Sequence, residues 1–243
     1  MANKKRLDQI LSEIYPQFSR TQLQSWIMQG KATVDGIIET KAGTAIAHDA
    51  VVLLTVEQPK FVGRAGFKLE KALDHFGIDV RNLVVLDAGL STGGFTDCLL
   101  QKGARKIYGV DVGYGQVHEK IRNDSRVLVM ERTNLRELTT VGELVDLVTL
   151  DLSFISVLKV MPAVLTLLKN NGQLLILIKP QFEARKEDVG KGGIIKDAAI
   201  HKEVIDKITT AIQELGFACS GVIDSPITGT MGNKEFLAYF KRL

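Results

Sequence analysis

Residues 83–100 read LVVLDAGLSTGGFTDCLL, and this stretch decides the fold. Leu83 to Leu86 are apolar and read as a strand buried on both faces. Asp87 closes the run. Gly89-Leu-Ser91-Thr-Gly93-Gly94 follows, and then Phe95, Cys98 and Leu99 take up a helical period. Strand, glycine turn and helix form the nucleotide-site pattern of doubly wound α/β sheets, where glycine lets a ligand approach the main chain. In a dinucleotide fingerprint the second glycine makes room for a pyrophosphate. Ser91 holds that place here, so a ligand without a pyrophosphate fits better, and S-adenosylmethionine is such a ligand. One loop of this kind is equally a plain tight turn. The choice rests on the remainder of the chain.

Downstream the alternation is regular. Ile107–Val110 reads as a second buried strand, ending in Asp111 about twenty residues past the glycine turn, where such sites place a carboxylate for ribose hydroxyls. Residues 126–130, 144–152 and 172–178 read as three more strands, with a helix over 157–168. Residues 200–215 read as a helix, and 217–224 and 235–240 as strands. Tight loops between alternating helices and strands imply a mostly parallel sheet. The last two strands have no helix between them and imply an antiparallel edge hairpin. A seven-stranded sheet with that edge is the layout of S-adenosylmethionine-dependent methyltransferases; dinucleotide dehydrogenases continue with another helix crossover. The expected fold class is therefore α/β, Rossmann-like, with a small α+β domain ahead of it.

Ligands of open α/β sheets bind outside the carboxyl ends of the strands. Asp87, Asp151 and Lys179 stand at such ends. Lys179 follows five apolar residues and precedes Pro180, so its ammonium emerges from a buried strand into the expected cleft. Beside a carboxylate such as Asp151, it can position and deprotonate a hydroxyl. A snorkelling lysine at a strand end is the bland reading of the same residue.

Residues 1–58 read as a separate unit. Leu7, Ile10, Leu11 and Ile14 recur at helical spacing until Tyr15-Pro16. Ser19 is a good N-cap for a second helix carrying Leu23, Trp26 and Ile27, and Gly30 stops it. Asp35-Gly36 between Ala32–Val34 and Ile37-Ile38 is a strong hairpin signal, and Val51–Val56 reads as a closing strand. Acidic and basic residues nearly balance in this unit. However, Lys4, Lys5, Arg6, Arg20, Lys31 and Lys41 fall at the helix starts and the hairpin, where a small fold can gather them on one side. An ordinary solvated surface is the competing reading. Trp26 is read as core rather than as a base-stacking residue. Residues 59–66 are expected to form a linker, with Glu57 and Gln58 leading into it, and 67–243 the second domain.

The chain has 243 residues, 45% hydrophobic and 24% charged, which is globular rather than disordered. Its formal net charge of +3 suits a nucleic-acid partner without demanding one. Cys98 and Cys219 read as buried free thiols. The four histidines have no metal-ligand spacing. No apolar run of spanning length and no secretory segment is present, so a cytoplasmic, metal-free protein without a membrane partner is expected. Oligomeric state is not legible.

Two resemblances sharpen this. RLDQIL…SRTQLQSWIMQGKATVDG resembles the S-four-type RNA-binding domain, departing from it at Asp35-Gly36 (usually Asn-Gly) and Lys41-Ala-Gly43 (usually Lys-Pro-Gly). The segments GRAGFKLEKAL, DAGLSTGGFTDCLL, DLSFIS, IKPQFEARKEDVGKGGIIKD and GNKEFL, in that order, resemble the TlyA family, whose catalytic domain is of the FtsJ type. That family methylates ribose 2′-hydroxyls of ribosomal RNA, and its members often carry the description hemolysin.

The resemblance implies S-adenosylmethionine as cofactor, ribosomal RNA or ribosomal subunits as partner, and cytidine as target. It implies a catalytic tetrad at Lys68, Asp151, Lys179 and Glu235. Lys179 would be the base or orienting group, tuned by Asp151, with Lys68 and Glu235 holding the hydroxyl and Lys179 in place. Cofactor contacts are expected at Asp87, Gly89, Ser91, Gly93, Gly94, Phe95 and Asp111. RNA contacts are expected at Lys4, Lys5, Arg6, Arg20, Lys31, Lys41 and Arg64. Ala65 stands where many relatives carry glycine. DLSF lacks the two prolines of base amino-methyltransferases, which argues against a base nitrogen target. Two alternatives remain: an RNA-binding protein that holds S-adenosylmethionine without catalysis, and a base methyltransferase. A literal lytic role finds no spanning or long amphipathic segment.

Overall fold

The computed structural model describes residues 4–56 and 59–243. Two compact units meet in sequence at Lys60/Phe61. Glu57 and Gln58, expected to lead into the linker, lie outside the described residues.

In the first unit, β1 (Lys5–Arg6) runs into α1 (Leu7–Ile14), followed by α2 (Arg20–Met28), β2 (Ala32–Val34), β3 (Ile37–Glu39), β4 (Ala45–Ile46) and β5 (Val52–Leu54). Ser19 caps α2 by accepting from the Gln22 N–H. At the hairpin, Asp35 and Gly36 take φ of 51° and 81°, the left-handed pair that a two-residue turn needs. β2 lies between β3 and β5 in a three-stranded antiparallel sheet. Leu7, Leu11, Leu23 and Ile27 pack on Ala32 and Val52. Trp26 joins this core, edge-on to Phe18 at 4.8 Å. The β1–β4 ladder was not expected: two residues carry no period.

The second unit comprises α3 (Ala65–Phe76), β6 (Val84–Ala88), α4 (Gly94–Gln101), β7 (Lys106–Val110), α5 (Glu119–Arg122), β8 (Val127–Met130), β9 (Val145–Leu150), α6 (Met161–Leu167), β10 (Leu168–Ile178), α7 (Pro180–Glu183), α8 (Ala198–Glu214), β11 (Phe217–Asp224) and β12 (Phe236–Arg242). Seven strands form one sheet in the order β11-β12-β10-β9-β6-β7-β8. β12 is antiparallel to both neighbours, and the pairs from β10 through β8 are parallel. Alternate residues of β6 face opposite layers. Val84 and Leu86 pack with Val164 of α6 and Ile208 of α8, while Val85 packs with Leu69 of α3 and Leu99 of α4. That two-sided burial is why the strands read as continuous apolar runs.

The antiparallel edge hairpin is present as expected: β11 and β12 pair at one edge of the sheet, with β12 against β10 and β11 outermost. One expectation is corrected: the linker is shorter, because residues 61–66 belong to the second unit. Val62 donates its N–H to Asp97 Oδ2 at 2.8 Å, Phe61 is buried, and Gly63 packs against Gly94 of α4.

Candidate active site

Parallel strands end their hydrogen-bonding at one edge, and the side chains that follow are released there. Asp151 follows Leu150, the last residue of β9, and Lys179 follows Ile178, the last of β10. Because β12 runs antiparallel to β10, its first residue, Phe236, pairs with Ile178. Glu235 is thereby set beside Lys179. Lys68, on the first turns of α3, reaches the same place from the layer above.

These four side chains form two ion pairs. Lys179 Nζ lies 2.6 Å from Asp151 Oδ1, and Lys68 Nζ lies 2.5 Å from Glu235 Oε2. Lys179 also donates to Ser153 Oγ at 2.9 Å. All four line one cavity of about 450 Å³ together with Arg64, Gly89, Ser91, Gly94 and Phe95. Gly229 leaves room for the Glu235 carboxylate, since a Cβ there would collide with it.

A second cavity of about 360 Å³ adjoins the first, sharing Gly89, Ser91, Asp151 and Ser153 with it. Its walls include Val112, Leu135, Leu152, Ile155 and Val160, and it contains two carboxylates, Asp111 and Asp151, but no basic side chain. Asp111 accepts from the Ser91 N–H through Oδ2 and the Gly113 N–H through Oδ1, both at 2.7 Å. Each oxygen keeps acceptor capacity for a hydroxyl. Gly89, at φ 89°, must be glycine on a second count: a Cβ would strike the Asp151 carbonyl. An apolar slot, a carboxylate pair and no cation fit a nucleoside carrying a positive sulfonium. They do not fit a pyrophosphate.

Asp87 and Gly93 line neither cavity. The Asp87 carboxylate is fully buried and accepts from Thr96 Oγ1 at 2.6 Å and Thr149 Oγ1 at 2.9 Å. Burial pushes it up to about 6, against the pull of those hydroxyls. It therefore ties α4 and β9 beneath the loop instead of facing a ligand, because its β6 position points into the helix layer. Gly93 starts α4 in a left-handed conformation against Ile121.

In the first unit Arg6 and Arg20 converge on one buried carboxylate. Asp8 accepts from Arg6 Nε at 3.0 Å and from Arg20 Nη2 at 2.9 Å, with Gln24 adding a bond of 2.7 Å. The Arg6 bond, with help from Gln24 and Arg20, holds Asp8 far below the usual carboxylate range. Each arginine side chain stays half exposed, and the turn at Gly43 packs on the Arg6 guanidinium. Lys5 pairs with Glu13. Lys4, Lys31 and Lys41 are exposed.

Sequence reasoning missed the apolar wall of the second cavity and Ser153. Ser153 was within sight in DLSF beside Asp151, whereas Leu135 and Val160 carry no local mark of a ligand site. Among the described residues no cluster of potential metal ligands occurs and no helix is long and apolar enough to cross a membrane. Cys98 is a buried thiol and Cys219 a partly buried one.

Comparison with known proteins places these features. Residues 61–242 match the model of the FtsJ-like methyltransferases, and residues 5–52 that of the S4 domain. The chain is 40% identical over 244 residues to the 16S/23S rRNA (cytidine-2′-O)-methyltransferase TlyA of Mycobacterium tuberculosis, covering 99% of this chain and 91% of that one. It is 42% identical over 239 residues to hemolysin A of Brachyspira hyodysenteriae, covering 97% and 99%. A solved candidate hemolysin from Streptococcus thermophilus superposes with a TM-score of 0.74 at 38% identity, over 100% of this chain and 90% of that one.

Proposed function

The chain belongs to the FtsJ-like methyltransferase family, and from that premise we propose that it methylates a ribose 2′-hydroxyl of ribosomal RNA, at a cytidine, with S-adenosylmethionine as methyl donor. The observation that carries this reading is the meeting of Lys68, Asp151, Lys179 and Glu235 as two ion pairs in the cavity that adjoins the donor slot.

When bound, the donor supplies a methyl group on a positively charged sulfur. The protein has to bring a hydroxyl oxygen in line with that carbon and relieve it of its proton, and orientation is the larger part of that task. Lys179, held between Asp151 and Ser153, orients the hydroxyl, and it takes the hydroxyl's proton as the neutral amine, after its ammonium has released one proton to solvent. Asp151 keeps the Lys179 side chain in place. Lys68 and Glu235, fixed to one another, close the opposite side of the acceptor space. In the second cavity Asp111 accepts from the donor's ribose hydroxyls, and the apolar wall receives its adenine. The S4 domain supplies RNA affinity through Arg6 and Arg20, presented by Asp8, and through the exposed Lys4, Lys5, Lys31 and Lys41; Arg64 adds a cation at the first cavity. Ribosomal subunits are the substrate.

The experiment is transfer of labelled methyl from S-adenosylmethionine to purified bacterial ribosomal subunits, with Lys179→Ala alongside. Label on ribose that vanishes in the variant supports reaction, donor and residue together. Label on a base moves the chain to a base methyltransferase. No label despite measurable donor binding moves it to a non-catalytic RNA-binding protein.

A further inference from the structure

We propose that Glu183 is a positioning residue for methyl transfer: buried and out of reach of substrate, it locks the segment that carries Asp151 and Ser153 onto the segment that carries Lys179. This rests on the ribose-methyltransferase reading and deepens it.

β9 and β10 are parallel neighbours, and each releases a short segment at its carboxyl end. After β9, residues 151–156 lead to a 3-10 turn, Val157–Lys159; after β10, Lys179 leads into α7. The first segment is sparsely tied. Asp151 donates its N–H to the Ala88 carbonyl at 2.9 Å, and from Leu152 to Ser156 no backbone N–H donates to another described backbone carbonyl. Phe154 stands at the crown in a left-handed conformation, φ 65°, and is 91% exposed, with its ring 5.1 Å from that of Phe182. Leu152 and Ile155 pack against the core while only partly buried. In-line transfer is far more demanding, since a misplacement of about 1 Å can cost a hundredfold in rate.

Besides the ring contact, polar ties cross to the second segment at two places. At the near end Lys179 holds Asp151 and Ser153. At the far end Glu183 Oε1 accepts the Val157 N–H at 2.7 Å. Lys179 and Glu183 are four residues apart across the single turn of α7, so both face the same neighbour. Glu183 is 3% exposed and lines neither the first nor the second cavity. Its own carbonyl accepts from Lys207 Nζ of α8 at 2.8 Å, which anchors the tie to the helix layer. Burial raises the carboxyl, against the pull of the Ser156 hydroxyl and the Val157 N–H, both at the start of the same 3-10 turn. Oε2 has no partner among the described residues. A buried carboxylate left half satisfied contributes little net stability, so what it does supply is the fixed distance between the two segments.

The test is kcat at saturating S-adenosylmethionine, with the full chain and purified ribosomal subunits. Glu183→Ala is expected to lower kcat by roughly tenfold or more and to leave KM for the subunits within about twofold, because the reacting groups are displaced and the RNA contacts are not. Glu183→Gln keeps an acceptor for Val157 and is expected to hold kcat within about threefold of wild type. Val157→Pro removes the same bond from the other side. Proline suits the first residue of a helical turn, and Ser156, at φ −70° and ψ 138°, has the extended backbone that a following proline requires. This variant is expected to reproduce the loss, and Glu183→Ala/Val157→Pro to be no slower than the slower single variant. Wild-type kcat in folded Glu183→Ala, a loss confined to KM, or losses that multiply in the double variant overturn the proposal. If Glu183→Ala does not fold, Val157→Pro decides, and wild-type kcat there is the overturning result. If neither folds, Glu183→Gln decides, and a kcat more than about tenfold below wild type overturns the proposal. Absence of methyl transfer by wild type to either subunit counts against the ribose-methyltransferase reading instead.

Discussion

Lys68 and Glu235 stand 167 positions apart in the chain, yet Nζ of one lies 2.5 Å from Oε2 of the other in a pair almost closed to water. A buried pair of this kind is stable as a pair and unstable when halved. Removing one partner costs about 3–5 kcal/mol, because the other charge is left without compensation.

Lys68→Met is therefore expected to lower Tm by roughly 10 °C, using a slope of about 2–4 °C per kcal/mol for a domain of this size. The double variant Lys68→Met/Glu235→Gln is expected to regain most of that loss and none of the methyl transfer. Thermal unfolding and labelled-methyl transfer on the three proteins check this. A double variant as unstable as the single would deny that the two residues act as a unit.

The donor slot gives a second prediction. Asp111→Asn keeps the shape of the cavity but weakens hydrogen bonds to a charged acceptor, worth about 1.5–3 kcal/mol each, and is expected to raise the Kd for S-adenosylhomocysteine by roughly tenfold or more. Gly89→Ala is expected to abolish binding, since its Cβ has no room beside the Asp151 carbonyl. Calorimetry measures both. Unchanged affinity in Asp111→Asn would take the carboxylate out of the cofactor site.

Two of the buried carboxylates, Asp87 and Asp8, titrate in opposite senses. Asp87 is raised from 3.8 to about 6, so its contribution is fully present below pH ~4 and is lost as pH rises through 6. Stability of the second unit is expected to fall across that window, by on the order of 1–3 kcal/mol, and Asp87→Asn to flatten the fall. Asp8 is depressed, so its contribution holds above pH ~4 and is lost below it. Trp26, the single tryptophan, reports on the first unit. Its fluorescence is expected to signal acid unfolding that starts below pH ~4. A transition centred near pH 6 would point to a group other than Asp8.

The basic residues of the first unit separate by what they hold. Lys31→Ala and Lys41→Ala are expected to weaken RNA binding and to reduce the salt slope by roughly 0.7–0.9 for each lost phosphate contact. Arg20→Ala is expected to do this and also to destabilise the unit, because Asp8 loses a partner. Filter binding across a salt series, with Trp26 fluorescence as the stability readout, distinguishes the two. An unchanged slope in the lysine variants would turn that surface away from the RNA.

Much of the fold was legible because its signals are local. The apolar runs around Leu86, Val148 and Ile176 are long enough to be strands buried on both faces, and Asp35-Gly36 and Ser19 mark a turn and a cap by their own chemistry. Other features carry no such signal. The strand that begins at Leu168 looks like the tail of a helix, since its first residues are separated from the paired run by an irregularity in register. The inward turn of Asp87 follows from which face of β6 it occupies, and a residue at the end of an apolar run gives no sign of that.

The sequence by itself determined the class of sheet and the glycine loop, which rest on spacing and composition within short windows, and its family resemblance singled out Lys68, Asp151, Lys179 and Glu235 in their order along the chain. Only the tertiary structure decided that the four meet as Lys68–Glu235 and Asp151–Lys179. The physical reason is strand order. By inserting antiparallel between β10 and β11, β12 delivers Glu235 to the carboxyl end of the parallel strands, and that pairing is a long-range choice that no local pattern encodes.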